Sequence, residues 1–188
     1  MTTFQQVADP LAPLASPEAP SGYYGPSNFN WLIRGRLAGM PRPGILRDID
    51  EDLLAIQRTG IQLIVTLTEE WEPPEEKFAE YGIDSFYVPI KDMHPPTIQQ
   101  ACQICMKVEE YVSNDRAVAY HCHGGRGRTG TLLASQLIWY RPDSDAAIRA
   151  VKTENQNWIE TESQIEFLGD FAAYRRDIAS GPAAPRSP

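Results

Sequence analysis

An α/β fold with a central, largely parallel sheet flanked by helices is the class this sequence predicts. Three observations lead there. Short β-branched runs alternate with amphipathic stretches through the middle of the chain. One such run, Ile61-Gln62-Leu63-Ile64-Val65-Thr66-Leu67, is nearly all apolar, as suits a strand buried on both faces. A second, Ala117-Val118-Ala119-Tyr120, leads into a glycine-rich turn and then a helix-forming segment. In parallel sheets ligands collect beyond the C-terminal ends of the strands, so that turn is where a site is expected.

The elements follow in order. Residues 1–22 and 180–188 read as flexible tails, because Pro, Ala and Ser dominate them and bury too little apolar surface to offset ordering. Residues 23–179 then form one domain. Residues 29–34 predict a first strand, followed by a Gly/Pro-rich loop through Gly44. Residues 48–59 predict a helix with Ile49, Leu53 and Ile56 on one face and Gly60 as its stop. After the strand at 61–67 come a short helix at 73–81 and a strand at 85–88. Residues 97–112 predict a helix whose apolar positions include Ile98, Ala101, Ile104, Cys105, Val108 and Val112. The strand at 117–120 is followed by helices at 129–140, 145–154 and 162–178.

Composition narrows the class of function. The 188 residues suit one domain, with 42% hydrophobic and 22% charged side chains, as in an ordinary globular protein. A net charge of −8 disfavours nucleic-acid binding and a polybasic membrane patch. No apolar run is long enough to span a bilayer, and no basic, apolar leader opens the chain. Three cysteines make an odd number without a disulfide framework, which suits a reducing, cytoplasmic setting.

The chemistry concentrates in His121-Cys122-His123-Gly124-Gly125-Arg126-Gly127-Arg128-Thr129-Gly130. A turn rich in glycine can aim several N–H groups at one anion, which needs unusual backbone angles. The helix that follows turns its positive end toward the same point. Arg128 offers a planar fork able to hold two phosphate oxygens, and Cys122 a sulfur nucleophile beneath the phosphorus. Thr129 brings a hydroxyl to the sulfur. The predicted reaction is displacement at phosphorus through a cysteinyl-phosphate.

That reaction needs a proton donor for the leaving oxygen. Asp92, in the proline-rich loop Val88-Pro89-Ile90-Lys91-Asp92-Met93-His94-Pro95-Pro96, follows a strand and is the best candidate. Alone, it would read as a loop-capping carboxylate or as the N-cap of the 97–112 helix. Asp84 and Asp115 precede strands and fall at the wrong end of the sheet.

The Cys-x5-Arg-Thr loop with an upstream aspartate resembles the protein tyrosine phosphatase superfamily, in its small atypical dual-specificity branch. Asn28-Phe29-Asn30-Trp31, Gly35-Arg36-Leu37-Ala38-Gly39, Val65-Thr66-Leu67-Thr68-Glu69 and Ile159-Glu160-Thr161 with Gln164 extend the likeness over about residues 23–178. The resemblance implies a dual-specificity phosphatase-like fold, no metal or other cofactor, and Cys122 as nucleophile. It further implies Arg128 as phosphate clamp, Asp92 as general acid and then base, and Thr129 as helper in thiophosphate cleavage. His123, Gly124, Gly125, Arg126 and Gly127 would line the phosphate site, and Gln164 would stand near the hydrolytic water. The short chain leaves no room for a deep phosphotyrosine cleft, so phosphoserine and phosphothreonine join phosphotyrosine as implied protein substrates. His123 and Arg126 fall where phosphoinositide phosphatases carry basic residues, so an inositol phosphate is the alternative substrate; equally, both read as a solvated loop rim. A phosphate-binding adaptor without turnover is a third reading. His121 reads as a buried, hydrogen-bonded scaffold residue.

Weaker signals remain. Cys102-Gln103-Ile104-Cys105 has CxxC spacing but sits on an amphipathic helix, which favours packing over redox or metal chemistry. His121, Cys122 and His123 make a poor zinc set, since adjacent strand residues point to opposite faces. Trp71 with Glu69–Glu72, after a strand end, reads as pocket lining, and the acidic run from Glu69 to Glu76 as a solvated helix start rather than a partner site.

Overall fold

The computed structural model describes residues 9–14 and 27–180. Among them, five strands and six helices follow in chain order: β1 (Asn30–Ile33), β2 (Leu37–Pro41), α1 (Ile49–Arg58), β3 (Ile61–Thr68), α2 (Glu75–Glu80), β4 (Asp84–Ile90), α3 (Ile98–Val112), β5 (Ala117–Cys122), α4 (Gly127–Tyr140), α5 (Ser144–Glu154) and α6 (Glu162–Ser180). The helix starts are chemical. Asp48 caps α1, Asp143 caps α5, and Thr97 with Gln100 forms a reciprocal capping box on α3.

One sheet runs in the order β1-β2-β5-β3-β4. β1 is antiparallel to β2, and the other three ladders are parallel, so the sheet is mixed but mostly parallel. Alternation along β5 divides the core in two. Val118, Tyr120 and Cys122 join the larger cluster with α3, α4 and α6, while Ala117 and Ala119 meet Leu53, Ile56 and Phe78 of α1 and α2. On α6, Gln164, Phe167, Leu168, Phe171 and Ala172 form one buried stripe at helical spacing. No helix among the described residues is long and apolar enough to cross a membrane.

One expectation needs correction. Residues 37–41 are not loop but a fully buried strand beside β5. Leu-Ala-Gly-Met-Pro has little strand propensity of its own; the glycine marks a close approach instead. A Cβ on Gly39 would lie 2.7 Å from the Trp158 ring and 2.9 Å from Thr129 Cγ2.

Residues 9–14, the described part of the N-terminal segment, are seated on the domain. Within residues 9–14, Leu14 N–H donates to Arg34 O at 2.9 Å, Asp9 pairs with Arg141 at 2.8 Å, and Leu11 packs on the larger core. The cause lies in Arg36, a buried cation that needs acceptors. It finds Ala12 O at 2.5 Å, Val112 O at 2.8 Å and Asp115 at 3.1 Å. At the other end α6 continues to Ser180. Residues 1–8, 15–26 and 181–188, which hold the rest of both expected tails, lie outside the described residues.

Candidate active site

β5, in the middle of the sheet, ends at Cys122, and α4 begins at Gly127, so the intervening loop sits at the mouth of the parallel strands. Two bonds pin it from outside: Arg42 N–H donates to His123 O at 3.0 Å, and Trp158 Nε1 to Gly125 O at 3.1 Å. Gly125 has φ +68°, and a Cβ there would stand 2.4 Å from the Met40 carbonyl carbon. Only glycine satisfies both demands.

Cys122 lies on the floor of a cleft of about 400 Å³. Thr129 Oγ1 donates to its sulfur at 3.2 Å from below. Arg128 is 2% exposed and heavily held. Nη1 donates to Glu70 Oε2 at 3.1 Å and to Ile90 O at 3.0 Å; Nη2 donates to Glu70 Oε1 at 3.0 Å and meets Asp92 Oδ1 at 2.9 Å. Arg128 Nε is buried without a partner, so the guanidinium keeps a donor for an anion in the loop. The two bonds from Arg128 hold the Glu70 carboxyl down to about 2.

Asp92 lines the cleft on the loop after β4. Its N–H donates to Glu69 Oε1 at 3.2 Å, and the next residue, Met93, has φ 61°. His94 Nδ1 lies 2.7 Å from Asp92 O. Asp84 instead bonds Tyr111 and Arg116, and Asp115 pairs with Arg36, both away from Cys122.

The turn before α6 closes another side. Gln164 is buried, its Oε1 accepts the N–H groups of Glu160 and Thr161, and its Nε2 has no partner. Glu160 Oε2 accepts Gly127 N–H at 3.0 Å, at the first turn of α4.

Of the residues singled out from sequence, Cys122, His123, Gly124, Arg126, Gly127, Arg128, Asp92 and Gln164 line this one cleft. Thr129 sits beneath the sulfur. Gly125 packs on the Met40 backbone rather than lining the cleft. His121 faces the smaller core, where Thr66 Oγ1 lies 2.8 Å from Nε2 and the Trp71 ring 5.7 Å away. Burial holds it at about 4, so it is neutral at pH 7. Trp71 does not line the cleft; it packs with Phe78 and His121, with Arg42 over its ring.

Sequence reasoning missed the role of Glu160; it set Glu69–Glu72 beyond a strand end as pocket lining, but not Glu70 as the partner of Arg128. The position of Glu70 two residues beyond the C-terminal end of β3 was the signal for the site, while nothing in the acidic run marked it as the residue that meets Arg128. It also missed the lips of the cleft, Ile45, Leu46 and Met93. Leu46 is 70% and Met93 51% exposed, so the rim of the cleft is apolar on this side. Carboxylates stand against both basic side chains of the loop: Glu70 lies 3.7 Å from His123, and Glu160 4.0 Å from Arg126. Among the described residues, no group of three or more His, Cys, Asp or Glu is placed to hold a metal ion.

Comparison with known proteins places this geometry in context. Residues 38–142, more than half of the chain, match the family model described as "Polymorphic toxin system, DSP-PTPase phosphatase". Cyclin-dependent kinase inhibitor 3 of Sus scrofa is 27% identical over 168 residues, covering 78% of this chain and 79% of its own. The crystal structure of Tk-PTP in the active form superposes with a TM-score of 0.68 at 26% identity, covering 78% of this chain and 97% of that one. PTPMT1 in complex with PI(5)P shares the fold, with a TM-score of 0.70 at 18% identity over 80% of this chain and 98% of its own.

Proposed function

Because this chain belongs to the DSP-PTPase family of cysteine-dependent protein phosphatases, we propose that Cys122, Arg128 and Asp92 carry its reaction. The sulfur of Cys122 attacks phosphorus while the phosphorus–oxygen ester bond breaks, and Asp92 gives its proton to the departing oxygen. Arg128 and the loop N–H groups hold the phosphoryl oxygens as charge develops. Water then attacks the cysteinyl-phosphate, Asp92 takes a proton from it, and the sulfur–phosphorus bond breaks to release phosphate. Thr129 supports the departing sulfur through its hydroxyl, and the free Nε2 of Gln164 orients the attacking water. Loop glycines supply flat access, and His121 holds the strand end.

The observation that carries this reading is the convergence of all three groups in one cleft, with Asp92 2.9 Å from the guanidinium that faces Cys122. The apolar lips, Leu46 and Met93, support an aryl phosphate, so phosphotyrosine in a protein is the favoured substrate, ahead of phosphoserine and phosphothreonine. An inositol phosphate is the second reading, resting on His123 and Arg126; the carboxylates of Glu70 and Glu160 weigh against it. The three cysteines, all free, support a reducing, cytoplasmic setting. Turnover of a phosphotyrosyl, a phosphoseryl and an inositol-phosphate substrate by the wild type and Cys122→Ser proteins tests the reading. The expected result is preference for the phosphotyrosyl substrate and no turnover by Cys122→Ser.

A further inference from the structure

The phosphate cleft has a neighbour. On the other side of Arg126 lies a hollow of about 390 Å³, and Asn28, Gly124 and Arg126 line both. Four more carboxamides, from Asn30, Asn155, Gln156 and Asn157, face this second hollow. Among the described residues, the side chains of Gln156 and Asn157 make no hydrogen bond and are exposed. They offer free donors and acceptors beside the phosphate loop.

The turn that carries them is fastened to that loop. Trp158, fully buried, donates Nε1 to Gly125 O at 3.1 Å and its backbone N–H to Asn155 O at 3.0 Å. Asn157 N–H donates to Asn155 Oδ1 at 3.0 Å, and Lys152 Nζ donates to Gln156 O at 3.1 Å. The amide wall therefore keeps a fixed relation to Cys122, as a specificity element should.

Its chemistry selects the occupant. A carboxamide is neutral and pairs a donor with an acceptor, which matches a peptide bond. A second phosphate would need several cations. The hollow has one, Arg126, with Glu160 4.0 Å away and the carboxylate of Glu154 in the wall. Resting on the reading of the cleft as a phosphatase site, we propose that this hollow holds the peptide backbone flanking the phosphotyrosine. It makes the enzyme a phosphopeptide hydrolase rather than an inositol-polyphosphate hydrolase.

The test compares N-acetyl phosphotyrosine amide, a phosphotyrosyl hexapeptide with neutral flanks, and a soluble inositol polyphosphate. In the wild type, kcat/KM for the hexapeptide should exceed that for the amide by about tenfold, the worth of one or two added hydrogen bonds. In the Gln156→Ala/Asn157→Ala double variant that ratio should fall to about one. A ratio unchanged in the variant, or a loss confined to the inositol polyphosphate, would overturn the proposal. Calorimetric Kd values for the amide and hexapeptide on the Cys122→Ser protein, with and without the double substitution, report the same ratio without turnover. A wild type that hydrolyses nothing thus removes the phosphatase reading, while the binding ratio still decides the hollow.

Discussion

Glu70 grips both terminal nitrogens of Arg128, at 3.1 and 3.0 Å, across a sequence distance of 58 residues. The pair joins the loop after β3 to the first turn of α4. It fixes the plane of the guanidinium and leaves Nε as the donor turned to other use. A fork held this way needs no reorganisation when charge develops before it.

Replacing Glu70 by Ala should therefore cost activity without touching Cys122. Freed of its partner, Arg128 shifts, and misplacement of a positioned group by about 1 Å costs on the order of 100-fold. Steady-state kcat/KM on p-nitrophenyl phosphate checks this, with Glu70→Gln expected to fall between the two.

Thr129→Val keeps shape and burial but removes the hydroxyl 3.2 Å from the Cys122 sulfur. A hydrogen bond to a charged group contributes about 1.5–3 kcal/mol, so breakdown of the cysteinyl-phosphate should slow by roughly 10- to 100-fold. Rapid-mixing kinetics should show a larger burst of p-nitrophenolate than the wild type gives, and Thr129→Ser should restore steady turnover.

Stability should fall in acid through His121. Burial lowers its folded-state value from 6.5 to about 4. The unfolded chain binds the proton first, so stability is full above about pH 6.5 and declines as pH drops toward 4. The loss should approach on the order of 3 kcal/mol by pH 4. Urea denaturation at pH 7, 5.5 and 4.5 measures it, and a His121→Gln variant should show a flatter dependence.

Two adjacent glycines should answer differently to a methyl group. Gly125→Ala meets the Met40 backbone at 2.4 Å with a positive φ, and should lower stability by about 1–3 kcal/mol while distorting the loop and abolishing most activity. Gly124→Ala meets nothing within 4 Å and should stay within about 0.5 kcal/mol of the wild type. Thermal melts of both variants separate the cases.

What could be read from the sequence was whatever local chemistry encodes. The apolar run at 61–67 and the periodic apolar faces at 48–59 and 97–112 announce their elements, and Cys122 with Arg128 announces the loop. Gly39 and Pro41 hid β2, because that strand exists through tertiary contact with Trp158 and β5 rather than through propensity. The strand end pointed to Glu69–Glu72 together, but which of them meets Arg128 was hidden for a similar reason. Only the meeting of the C-terminal ends of β3, β4 and β5 brings that carboxylate to Arg128. The seating of residues 9–14 answers the acceptor demand of Arg36, which composition does not express.

The central claim is that phosphate passes through the sulfur of Cys122. Acid-quenched turnover of p-nitrophenyl phosphate by the Asp92→Asn variant, followed by peptide mass spectrometry, tests it most directly. The leaving group needs no proton, so the first step proceeds while hydrolysis stalls. A phosphoryl adduct on the peptide containing Cys122 is the predicted result. Continued product release with no adduct at Cys122 would contradict it.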